Sequence, residues 1–146
     1  MSAPINITEV QTAAQTAIAA AAYFTGRTVL LDNGKIQQQE EDALQDVGEC
    51  VVVGPLLDGD LTGQGSGAGL LRVGLAVHYE VNPKLSETNV LEMYQKGTAA
   101  LLAYSVDDKR NNFSLAQAAF VISVDDQGLR VYTAFYEKLA ALRHTD

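Results

Sequence analysis

Twelve consecutive residues, Leu70 to Val81, alternate in character with a period of two. Leu71, Val73, Leu75, Val77, Tyr79 and Val81 fall on one side, and Arg72, Gly74, Ala76, His78 and Glu80 on the other. A helix would scatter those residues around its axis, whereas an extended strand collects them on two faces. A strand this long with one apolar face needs hydrogen-bonded neighbours and a layer packed over it, so the chain must build a sheet. Asn82-Pro83 ends the run.

The rest of the chain supplies the partners. Val51-Val52-Val53 centres a strand over Glu49 to Leu57, and Thr28 to Leu31 reads as a short strand closed by the turn Asp32-Asn33-Gly34. Residues 115–124 form a strand that turns at Asp125-Asp126-Gln127-Gly128 into another over Leu129 to Tyr136. Glu137 to Arg143 either extends that strand or turns into a short helix.

Two helices are signalled. Thr8-Glu9-Val10-Gln11 fits a capping box, Ile7, Val10, Ala14, Ala17, Ile18, Ala21 and Phe24 recur at helical spacing, and Gly26 stops the run. The second is capped by Ser86 or Thr88 and carries Val90, Leu91, Tyr94, Leu101 and Leu102 as its apolar stripe. Gly97 in mid-helix points to something packed closely against it. Residues 36–48, polar and acidic with three consecutive glutamines, read as an exposed loop. So does the glycine-rich stretch 58–69, and both are expected to be mobile. The expected fold is therefore α+β: a mostly antiparallel sheet of four to five strands with two helices packed on it, in the order α-β-β-β-α-β-β. At 146 residues the expectation is one domain, residues 1–146.

Charge and cysteine content exclude several functions. The net charge is −8, and the ten Lys and Arg are scattered, which argues against a nucleic-acid-gripping surface. The acids are clustered: no Lys or Arg occurs between Lys35 and Arg72, while Glu40, Glu41, Asp42, Asp46, Glu49, Asp58 and Asp60 all do. Such a segment is either a solvated loop that keeps the protein soluble or a charged rim or channel wall in an assembly. One cysteine, Cys50, allows no internal disulfide. No apolar run reaches membrane-spanning length and the N-terminus lacks the positive charge of a signal peptide, so synthesis in a cytoplasm is expected, with no membrane partner.

No catalytic or metal motif is complete. Gly63-x-Gly65-x-x-Ala68 matches a relaxed dinucleotide fingerprint, but a strand follows it where a helix is needed. Asp58-x-Asp60-x-Thr62-Gly63 opens like a calcium loop, yet Gly69 stands at the position that needs a bidentate Glu. His78 and His144 lie in no metal-ligand spacing, and Gly65-Ser66-Gly67 lacks the nucleophile-elbow spacing. His78 shares a strand face with Glu80, a conceivable base and carboxylate pair, though a partly exposed strand histidine is the commoner case. Cys50 reads as a buried thiol. The expectation is a protein that is not an enzyme and carries no cofactor or metal.

The order of elements resembles the tail terminator, or tail completion, proteins of long-tailed bacteriophages. The resemblance runs from Ile7 to about Leu142. It is carried by Leu71-Arg72-Val73-Gly74-Leu75-Ala76-Val77-His78-Tyr79, the helix Val90 to Tyr104, and the closing strand Leu129-Arg130-Val131-Tyr132-Thr133-Ala134-Phe135-Tyr136. It implies a structural subunit of the virion, assembled in the host cytoplasm. That subunit forms a hexameric ring on the end of the tail tube, stops tube growth and joins the tail-tube protein to the head-side neck protein. DNA passes through such a ring without specific binding, and an acidic lumen would keep phosphates from adhering. A tail-tube subunit or another oligomeric tail or neck component is the alternative, followed by a small-molecule-binding domain or enzyme.

Overall fold

The computed structural model describes residues 6–61, 70–103, 113–125 and 128–141. Among these residues five strands form one sheet: β1 (Val29–Leu31), β2 (Glu49–Leu61), β3 (Leu70–Val81), β4 (Ser114–Val124) and β5 (Arg130–Ala141). Their spatial order is β1-β2-β3-β5-β4. Three α-helices accompany them: α1 (Val10–Ala20), α2 (Gln37–Asp46) and α3 (Val90–Ala103). The class is α+β as expected. The sheet, however, is mixed, because β1 runs parallel to β2 while the other neighbours are antiparallel.

The largest departure from the sequence reading is α2, which stands where an exposed loop is expected over residues 36–48. It converts the order to α-β-α-β-β-α-β-β and accounts for the parallel pair, since parallel neighbours need a crossover and α2 is that crossover. Gln, Glu, Ala and Leu are all good helix formers. Side chains one turn apart tie it further, Gln37 to Glu41 at 3.3 Å and Gln38 to Asp42 at 2.8 Å. Its apolar anchor is small: Ile36, Ala43 and the partly buried Leu44 meet Cys50, Val52 and Leu30 on the sheet. Gly48 ends the segment at φ +91°, where a Cβ would lie 2.7 Å from that of Leu85, so both backbone and packing demand glycine.

On the opposite face, α1 and α3 cover the main core. A single 3-10 turn, Ile7–Glu9, leads into α1. The capping box starts at Asn6 instead of Thr8: the Asn6 side chain accepts from the Thr8 amide, and the Glu9 carboxylate accepts from the Asn6 amide at 3.1 Å. Val10, Ala13, Ala14, Ala17 and Ile18 are buried. Along β3 the alternation holds, with Val73, Leu75, Val77, Tyr79 and Val81 buried in this core. The stripe of α3 is Val90, Met93, Gly97 and Leu101. Leu91 and Leu102, placed in it from sequence, are exposed at 44% and 39%. Gly97 does mark a close approach, for an alanine Cβ there would sit 2.2 Å from the Tyr79 hydroxyl. That hydroxyl pairs with Tyr136 at 3.0 Å, and Tyr136 pairs with Thr98 of α3 at 2.7 Å, so the core's phenols are satisfied where they are buried.

Ser86 and Thr88 do not cap α3. Asn89 does, its Oδ1 accepting from the Leu91 amide at 2.9 Å. The glycine-rich stretch 58–69 is also corrected in part: Asp58 to Leu61 belong to β2, and residues 62–69 lie outside the described set. Of the two alternatives for the chain beyond Tyr136, β5 continues as a strand to Ala141.

Candidate functional site

The acidic segment does not form one surface. Glu49, at the start of β2, is only 7% exposed. Its carboxylate pairs with Arg27 and accepts hydrogen bonds from Thr88 Oγ1 at 2.6 Å and Ser86 Oγ at 3.1 Å. Burial alone would raise its pKa, but the Thr88, Arg27 and Ser86 donors outweigh that and hold it below the usual carboxylate range. Arg27 also lies over the Tyr23 ring, 4.3 Å from its centre. Glu49 therefore ties the segment before β1 to the β3–α3 connection and belongs to no solvated rim.

Glu41, Asp42 and Asp46 are exposed along α2, while Glu40 is half-buried and turned toward the sheet. Asp58 and Asp60 sit on β2 in register with Gly74 and Arg72, and their side chains lie outside the described set. Among the side chains described, the exposed acids of the segment are therefore the three on α2, Glu41, Asp42 and Asp46. Asp46 occupies the last turn, where a negative charge opposes the helix dipole. Asp46→Lys is expected to raise stability by about 0.5 kcal/mol, read as a shift in a urea midpoint. A lowered midpoint would mean that Asp46 makes a favourable contact in the folded protein.

Beneath α2 the fold gathers a polar cavity of about 340 Å³, lined by Asp32, Glu40, Val52, His78 and Glu80 among others. Beside it three elements bring their side chains together: Glu40 from α2, Cys50 from β2 and Glu80 from β3. The Cys50 thiol donates to Glu80 Oε1 at 3.0 Å, and both residues are buried, at 1% and 7% exposure. Burial first, and then the neighbouring Glu40 carboxyl, push the Glu80 carboxyl up to about 8. Burial also pushes the Cys50 thiol up, as do the Glu80 and Glu40 charges. Cys50 is thus buried, as its sequence position suggests. Glu80 pairs with this thiol and not with His78, whose Nδ1 meets Thr133 Oγ1 at 2.8 Å. The strand alternation assigns Glu80 to the polar face, but with α2 unrecognised nothing says that this face is covered.

A third feature lies at the sheet's far edge. Strand β4 exposes Val121 (54%), Ile122 (52%), Val124 (59%) and Leu115 (43%). Ile122 stands opposite Tyr132 and Val121 opposite Thr133, so apolar side chains project from both faces of one edge. The other edge is guarded in part: β1 covers β2 only over Val51–Val53, and the outward-facing Val29 carbonyl accepts from the Gln15 side chain at 3.2 Å. No helix among the described residues is long and apolar enough to cross a membrane. No protein-family model and no curated protein sequence matches the chain.

Proposed function

We propose that this protein is a structural subunit of a phage tail. Copies of it close into a ring, six on the resemblance, at the end of the tail tube, where the ring ends tube growth and docks the head-side neck. The observation that carries the assembly reading is strand β4. An eleven-residue edge strand with large apolar side chains on both faces is an aggregation hazard unless a partner covers it, and a second copy of the chain is the partner that self-assembly supplies. A ring requires two different surfaces of the subunit to match, and β4 is the natural member of that pair. The sheet, with helices on both faces, supports a ring subunit over a tail-tube subunit, which should be mainly a β-sandwich. Glu41, Asp42 and Asp46, the acids exposed among the described side chains, would face a lumen or ring surface. DNA would pass it without binding, and no cofactor takes part.

Val121→Lys with Val124→Lys places two charges on β4 without touching the core. The double variant is expected to keep the thermal midpoint of the parent within about 2–4 °C and to run as a monomer where the parent forms rings by mass photometry. Added salt favours parent assembly by screening the acids around the ring. A parent that stays monomeric at high concentration, alone and with purified tail tubes, rules the ring subunit out. A double variant that still assembles moves the interface elsewhere on the molecule.

A further inference from the structure

We infer that Glu40, Cys50 and Glu80 form a binding site for a divalent cation of the zinc class, clamping α2 to the sheet. One donor atom from each residue lies within 4.8 Å of the others, a spacing that small side-chain movements close around one ion. The three donors come from three elements, so an ion among them cross-links α2, β2 and β3. The donor set decides the class: a thiolate beside two carboxylates suits zinc or cobalt, whereas magnesium and calcium take oxygen donors alone. Two carboxyl groups and a thiol crowded this closely repel one another once ionised, and a divalent charge removes that conflict.

Room for the rest of the coordination sphere exists. The cavity of about 340 Å³ opens beside Glu40 and Glu80, leaving a position for water. His78 lines the same cavity with one ring nitrogen engaged by Thr133, and lies outside the three-donor cluster. Such a clamp also answers a structural need, because the apolar anchor beneath α2 is small. The site is independent of the assembly reading.

Cobalt(II) tests the inference directly, since a cobalt–thiolate bond gives a near-ultraviolet charge-transfer band and Cys50 is the chain's single cysteine. Full-length protein treated with chelator and titrated with Co²⁺ is expected to show that band, saturating at one ion per chain. Zn²⁺ should displace the cobalt and raise the thermal midpoint by several degrees, and Mg²⁺ should do neither. Cys50→Ser abolishes the band, and Glu80→Gln weakens Co²⁺ binding at least tenfold. Glu40→Gln, at a half-buried helix position, is compared with the parent once its circular dichroism and thermal midpoint match, and is expected to weaken binding about tenfold. No band in the parent, a band that survives in Cys50→Ser, or parent-like affinity in Glu40→Gln overturns the site.

Discussion

Gly97→Ala is expected to destabilise the protein by about 2 kcal/mol, although alanine is the better helix former. At an exposed helical position the same change would stabilise by about 1 kcal/mol, so the sign of the effect is the test. The added Cβ would lie 2.2 Å from the Tyr79 hydroxyl and 2.5 Å from its ring edge. Tyr79 cannot simply swing aside, because its side chain is fully buried and its hydroxyl is held by Tyr136, itself held by Thr98. Either α3 lifts from the sheet or the ring shifts and strains that hydrogen-bond chain, and both lose packing across the centre of the core. Urea denaturation with an unchanged slope and a lowered midpoint is the expected record. A raised midpoint would show that α3 stands further from β3 than these distances say.

Arg27→Met is expected to cost about 2 kcal/mol at neutral pH, reduced from the full value of a buried pair because Arg27 is itself 29% exposed. The change strands a carboxylate that lies almost out of water, leaving it, among the described residues, the hydroxyls of Ser86 and Thr88. Acid should narrow the difference between parent and variant, and the sign follows from Glu49. Its folded-state pKa is depressed, so its contribution is present above the unfolded carboxylate value and is lost as pH falls through the folded one. Removing Arg27 relaxes the depression, and the variant therefore has less to lose in acid. Thermal midpoints of both proteins across the acid range give the comparison. A gap that widens toward low pH would mean that Glu49 is not the group responsible.

How much of this was legible beforehand depended on whether a segment's pattern reflects its own burial. Strand β3 was readable to the residue because its alternation is produced by the core it faces. Helix α2 was not, because its apolar contact with the sheet is made by Ile36, Ala43 and Leu44, too few to set a visible period. The signal that did exist was intrinsic: a run of Gln and Glu closed by Ala-Leu is helix-forming material even where it is fully polar. That one omission concealed the rest. Without α2 the second face of β3 looks solvated, Glu80 looks like a surface acid, and nothing brings Glu40 near Cys50. Ser86 and Thr88 are ambiguous for a related reason, since hydroxyls that suit a helix cap equally suit a buried carboxylate, and Glu49 sits 37 and 39 positions away in the chain.

The unequal edges of the sheet carry a consequence for subunit number. With β1 covering β2 only over Val51–Val53 and its outward Val29 carbonyl occupied by Gln15, β4 is the one edge strand among the described residues that is unpaired along its full length on one side, and each chain carries a single copy of it. Two copies that lay their β4 strands side by side exhaust each other's edge and close as a pair, so any larger particle built on such pairs contains an even number of chains. A β4 that docks instead against another part of its neighbour imposes no parity. A particle mass corresponding to an odd number of chains would therefore exclude strand-to-strand pairing at a stroke.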